Sequence, residues 1–233
     1  MSRGNFHQFT EKIVIMTLQD KYPKLRTYIG RDYFLAGGPR LLLVGESHYF
    51  PRDSKIHLDP ERWYAGNWNM LNQTEQSWIS TCEIISESRE KSFSEKAHSI
   101  WKRSFQVINE NGPHYEDFRN VADDIAYFNF FQRPANCGES LCVHSLDIAA
   151  AKDNWIENYK KLQPRHVVFL SMLAYSHYNS MGLGQAEVVP HPGCNWWTRR
   201  TKKYGGLSGR EKLAQIVQKI DCPRWRDVGA RQV

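Results

Sequence analysis

Glu46, Ser47, His48 and Tyr49 follow directly on Gly45 and on the apolar run Leu41 to Val44, so a carboxylate, a hydroxyl, an imidazole and a phenol leave one element together. An apolar run of this length, entered through Gly37-Gly38-Pro39-Arg40 and stopped by Gly45, suits a strand buried on both faces of a parallel sheet. In such sheets ligands bind in the crevice beyond the carboxyl ends of the strands, which is where these four side chains would be delivered. A tight polar turn is the structural alternative. Three further stretches carry possible chemistry. Asn129 is the single polar residue inside the run Ile125 to Phe131, and its amide must either satisfy local backbone or recognise a ligand. His191 stands between Pro190 and Pro192, which fix the backbone and aim the imidazole, for a ligand or for a purely structural role. Cys194 to Tyr204 interleaves Arg199, Arg200, Lys202 and Lys203 with Trp196, Trp197 and Tyr204, as a basic aromatic surface or as a solvated loop with its tryptophans turned inward.

The elements that position these residues alternate. The pattern predicts a helix over Phe9 to Asp20, strands at Leu41 to Gly45, Ile125 to Phe131, His166 to Leu170 and Glu187 to His191, and helices at Thr74 to Arg89 and Ser94 to Asn109. Further helices are predicted over Ser145 to Leu162, with Ser145 as cap, Met172 to Tyr178, and Ser208 to Ile220. Alternation of this kind implies a three-layer α/β/α sandwich with a mainly parallel central sheet. A chain of 233 residues can bury one sizeable core, so a single domain is expected, with a helical and loop insertion at about 51–110.

A net charge of +6 permits a polyanionic partner without requiring one, and eight Trp, eleven Tyr and eleven Phe suit either a packed core or base stacking. There is no stretch of roughly 20 apolar residues that could cross a membrane and no secretory signal, and five scattered cysteines without a C-x-x-C pair suit reduced thiols in a cytoplasm. Cys137, Cys142 and His144 have irregular spacing for metal ligands.

Gly45-Glu46-Ser47-His48-Tyr49, Asn129 followed shortly by Arg133-Pro134, the apolar strand Val167 to Leu170, and His191-Pro192, in that order, resemble the uracil-DNA glycosylase superfamily. There a first motif opening with Gly follows the first core strand, an Asn ends the second, and a motif opening with His-Pro follows the fourth. The resemblance runs from about Leu41 to the last helix. It implies that Asn129 reads the pyrimidine edge, that Tyr49 crowds the pyrimidine C5 position, and that Gly45 and His48 also line the base site. It further implies that His191 stabilises charge developing on the base, and that Glu46 orients or deprotonates the attacking water. Ser47 takes the place where many members carry the Asp or Asn that positions water, His48 the place of a Pro, and Gly193 the place of a Ser. Trp196 or Trp197 would wedge into the gap left by a flipped nucleotide, and Arg199, Arg200, Lys202 and Lys203 would hold phosphates.

The expectation is therefore a cytoplasmic, monomeric DNA glycosylase acting on uracil or a related deaminated base, with DNA as partner and neither metal nor cofactor. Trp63, Tyr64 or Trp68 in the insertion would supply a stacking face. Two other functions stay open. One keeps the fold as a nucleic-acid or nucleobase-binding module, favoured by Ser47 and Gly193. The other follows from a likeness of the G-E-x-H opening to erythromycin-esterase-like and haem-binding ChaN-like proteins, where Glu46 and His48 would serve as base or metal ligands.

Overall fold

The computed structural model describes residues 25–66, 70–95 and 98–230. The helix expected over Phe9 to Asp20 lies outside them. The fold is mixed α/β around a mainly parallel sheet of five strands, β1 (Tyr28–Ile29), β2 (Leu41–Gly45), β4 (Ile125–Asn129), β6 (His166–Phe169) and β7 (Glu187–Val188), in the spatial order β1-β4-β2-β6-β7. Only β1 runs antiparallel, against β4. All five residues of β2 and of β4 are buried, as expected of strands covered on both faces.

Alternate residues of these strands feed two cores. Leu41, Leu43, Ile125, Tyr127 and Val168 pack with the helices Ser99–Asn111 and Gly209–Gln218, through Trp101, Phe105, Ile108, Leu213 and Val217. Leu42, Val44, Ala126, Phe128 and Phe169 pack on the opposite face with Ala151 and Trp155 of the helix Ser145–Leu162 and with Ala174 and Tyr178 of Met172–Ser180. Each large aromatic or aliphatic side chain so buried contributes roughly 1.5–3 kcal/mol.

The chain leaves β2 for β4 on one side, then crosses β2 to reach β6 on the other, so the sheet reverses direction at β2. That reversal opens a crevice at the carboxyl end of β2, where Glu46 begins.

A second sheet, which the sequence pattern does not announce, pairs β3 (Tyr49–Phe50) in parallel with β5 (Ala135–Asn136). Backbone bonds continue the β2–β4 ladder into it: Phe130 N donates to Gly45 O at 3.1 Å, Phe131 N to Glu46 O at 2.9 Å, Ala135 N to His48 O at 2.8 Å and Cys137 N to Phe50 O at 3.0 Å. The loop from Gly45 to Phe50 is therefore zipped along its length to the loop after Asn129, and Glu46 and Tyr49 inherit the rigidity of the sheet.

The stretch expected as one helix over Thr74 to Arg89 is two, Gln73–Trp78 and Thr81–Glu90, broken at Ile79 and Ser80. Ile79 is fully buried in a third cluster with Phe50, Trp63 and Leu71, and a continuous helix would not bring it there. The long helix Ser145–Leu162 is capped by His144 and not by Ser145: Asp147 accepts from His144 N at 2.8 Å while His144 Nδ1 accepts from Leu146 N. Among the described residues no helix is long and apolar enough to cross a membrane.

Candidate active site

Glu46 leaves β2 half-buried, and both of its carboxylate oxygens are occupied. Ser171 Oγ donates to Oε2 at 2.7 Å and Leu141 N donates to Oε1 at 3.2 Å. Ser171 is itself buried, and its hydroxyl also caps the helix Met172–Ser180 by accepting from Ala174 N at 3.2 Å. The carboxylate is thus held by the exit of β6 and by the loop before the long helix.

Beside it, Gly45 and Asn129 are direct partners in the β2–β4 ladder. A Cβ on Gly45 would fall 2.1 Å from Tyr127 Oη and 2.2 Å from Asn129 Oδ1, so this glycine is required by the two side chains lying across its Cα. Tyr127 Oη donates to Asn129 Oδ1 at 3.0 Å. Among the described residues the amide's Nδ2 has no hydrogen-bond partner. Tyr49, 38 % exposed, stands at the mouth, and burial, aided by the nearby Glu46 charge, pushes its phenol above the usual range. The Tyr127 phenol is pushed up in the same way, first by burial and then by Tyr49 and Glu46.

His191 follows β7 and reaches the same place. Gly193 N donates to His191 Nδ1 at 3.0 Å, which leaves that nitrogen unprotonated and Nε2 as the one that carries hydrogen in the neutral ring. Burial lowers the basicity of the imidazole and the Arg103 cation lowers it further, while Glu46 acts in the opposite sense. Arg103 also braces the turn by donating to Pro192 O at 2.6 Å. Gly193 belongs here because a Cβ would sit 3.0 Å from the His191 ring.

Glu46, Tyr49, Asn129 and His191 therefore converge at one end of the sheet. Ser47 is half-buried beside them, with no side-chain hydrogen bond among the described residues. His48 does not join them. Its ring is buried, with Nε2 3.1 Å from Thr81 Oγ1, and it also hydrogen bonds to the Trp78 backbone, so it anchors the helical insertion where a base-lining role was expected. Burial depresses its pKa to about 4. The separation also parts Glu46 from His48 as joint base or metal ligands. Among the described residues no group of three His, Cys, Asp or Glu side chains is placed to hold a metal ion.

The basic aromatic stretch divides. Trp196 is 47 % exposed, whereas Trp197 is buried in the core, its ring and Pro190 packed over the Cα of Gly209, so Trp197 is no wedge. Arg199, Lys202 and Lys203 are exposed; Arg200 is exposed too, but its guanidinium is taken by Glu211, with Nε 2.8 Å from Oε1. In the insertion Trp63 is buried edge-on to Phe50 and offers no stacking face, Tyr64 is half-buried with its hydroxyl donating to Asp147 Oδ1 at 2.9 Å, and Trp68 lies outside the described residues.

Arg133 and Asp147 form a buried ion pair behind the loop that carries Leu141. Arg133 Nε and Nη2 donate to the two Asp147 oxygens at 2.8 and 2.6 Å, and the remaining Arg133 donors reach the backbone oxygens of His57 and Cys142. Arg133 lines a cleft of about 240 Å³ together with Leu141, whose N–H holds Glu46, but Glu46, Tyr49, Asn129 and His191 are not among the residues that line it. A hollow of about 520 Å³ elsewhere, between Asn111, Gly112, Ile220 and Trp225, likewise contains none of the four.

Ser171, Tyr127 and Arg103 escape a reading of the sequence. Ser171 reads as a helix cap, Tyr127 as a core strand residue and Arg103 as one cation on a helix, and only the fold brings them to the site. A scan against models of known protein families and a search of curated proteins both find no match to this chain.

Proposed function

We propose that this chain is a DNA glycosylase with a three-layer, uracil-DNA glycosylase-like fold, which hydrolyses the N-glycosidic bond of uracil or a related deaminated base on a nucleotide turned out of the helix. The observation that carries the reading is the convergence of Glu46, Asn129 and His191 from three separate strand ends, with Glu46 and His191 close enough to influence each other's charge.

In this reading Asn129 presents its Nδ2 to a carbonyl on the base edge, and Tyr49 limits what fits at the mouth. As the bond between base nitrogen and sugar carbon breaks, its electrons pass to the base, and the neutral His191 donates from Nε2 to the oxygen where charge gathers. Glu46, oriented by Ser171 and Leu141, accepts a proton from the water that attacks the sugar carbon. The products are the free base and an abasic sugar. Trp196 and the cations Arg199, Lys202 and Lys203 lie on the same stretch of chain as His191 and would meet the strand.

The test is incubation of labelled oligonucleotides bearing uracil, hypoxanthine or xanthine, single- and double-stranded, in EDTA, followed by alkali. Strand breaks at the modified base that vanish in His191→Ala support the reading. Absence of breaks with every base overturns it.

A further inference from the structure

We infer that Tyr127 is a positioning residue that fixes which way round Asn129 presents its carboxamide, and thereby the preference for a base bearing a carbonyl over one bearing an amino group. The inference rests on the glycosylase reading. Residues two apart on a strand face the same side, so Tyr127 and Asn129 project together, toward the face on which Gly45 leaves room. Tyr127 is 2 % exposed and Asn129 6 %, so their mutual bond is made away from water.

A carboxamide is nearly symmetric in shape, and only its neighbours decide which end is oxygen. The Tyr127 hydroxyl has one hydrogen to give. Among the described residues Asn129 Oδ1, 3.0 Å away, is the acceptor it has. Turning the amide over would leave that hydrogen buried without a partner, a penalised state. Burial also pushes the phenol above its usual range, so at neutral pH it is protonated and a donor. The ring cannot swing aside: it lies edge-on to Trp101 with centroids 5.7 Å apart. Oδ1 is therefore committed to Tyr127, and the two hydrogens on Nδ2 are what a ligand meets. An Nδ2 donor matches the exocyclic carbonyl of uracil and opposes the exocyclic amino group of cytosine.

The experiment compares excision of uracil and of cytosine from the same single-stranded oligonucleotide by the full chain and by Tyr127→Phe, with circular dichroism to confirm the fold. The expected result is a uracil-to-cytosine rate ratio about tenfold lower in Tyr127→Phe, the factor one hydrogen bond of ordinary strength controls. In an Asn129→Asp background there is no amide to orient, and the same substitution is expected to leave the ratio unchanged. An unchanged ratio in Tyr127→Phe alone, or an equal fall in the Asn129→Asp background, overturns the inference. If Tyr127→Phe fails to fold, calorimetry on the unmutated chain decides: free uracil is expected to bind at least about tenfold more tightly than free cytosine, by the same hydrogen-bond factor, and equal binding overturns the inference. If the unmutated chain excises nothing, the glycosylase reading fails, and the free-base comparison still judges the orientation of Asn129.

Discussion

The Ser171 hydroxyl donates to Glu46 Oε2 at 2.7 Å across 125 residues of sequence, joining the exits of two adjacent parallel strands. The same oxygen caps a helix by accepting from Ala174 N, so the orientation of Glu46 and the start of that helix depend on one atom. Rigid support of this kind is what a base needs if it is to meet a water in a fixed position.

In the glycosylase reading proposed above, Ser171→Ala is accordingly expected to lower the rate of base excision about ten- to hundredfold with little change in KM, and in any reading to cost about 1 kcal/mol of stability through the lost cap. Ser171→Thr keeps the hydroxyl and should restore most of both. Single-turnover excision and urea melts measure the two effects separately. A full rate in Ser171→Ala would show that Glu46 needs no such support.

Much of this arrangement was legible beforehand because the core strands are uninterrupted apolar runs, and their ends coincide with Gly45, Asn129 and the His191 prolines. The polar residue stranded in an apolar strand, Asn129, lies opposite Gly45 and accepts from Tyr127 at the end of the sheet from which Glu46 leaves. His48 misled because adjacency in sequence is not adjacency in space. Residues 46 and 48 lie on a loop that is held to the chain after Asn129, and Thr81 and the Trp78 backbone of the insertion claim the second of them. Trp197 misled for a related reason: Gly209 leaves a slot over its Cα that a tryptophan fills, and a glycine at the head of a helix gives no hint of that. Ser171 and Tyr127 were illegible because each satisfies a common local role, and only the register of β2 with β4 and β6 gives them a second one.

The ion pair of Arg133 and Asp147 is 6 % and 0 % exposed at its side chains, and its value lies in being complete. Asp147→Ala would leave a buried guanidinium uncompensated and also remove the acceptor for His144 N and Tyr64 Oη, so a loss of about 3–5 kcal/mol is expected in urea unfolding. Replacing both together, Arg133→Met with Asp147→Leu, should recover only the part that comes from the uncompensated charge, because His144 N, Tyr64 Oη and the carbonyls of His57 and Cys142 still lose their partners. If the single and double variants are equally unstable, the uncompensated charge contributes nothing to the loss.

His48 titrates at about 4 in the folded protein because burial disfavours its charged form, against about 6.5 in an unfolded chain. The unfolded state therefore binds the extra proton first as pH falls. Stability from this group is fully present above pH 6.5 and drains away as pH drops toward 4, by about 3 kcal/mol in all. His48→Gln cannot titrate, so its stability should vary less with pH across that window than the unmutated protein's. Parallel pH dependence of the two in chemical unfolding would refute the assignment.

Lys202 and Lys203 are exposed and free of carboxylate partners among the described residues, whereas Arg200 is already engaged by Glu211. In the proposed DNA-binding role, phosphate binding should therefore follow the lysines. Lys202→Glu with Lys203→Glu is expected to weaken binding to DNA of any sequence and to reduce the slope of log affinity against log salt by about 0.9 for each phosphate that is no longer neutralised. Arg200→Ala should change that slope little and should act mainly on the helix Gly209–Gln218, because Glu211 would keep Ser208 as its partner there. Binding measured between about 50 and 200 mM salt separates the cases. A slope that falls in Arg200→Ala but stands unchanged in the double lysine variant would move the strand to a different path across the protein.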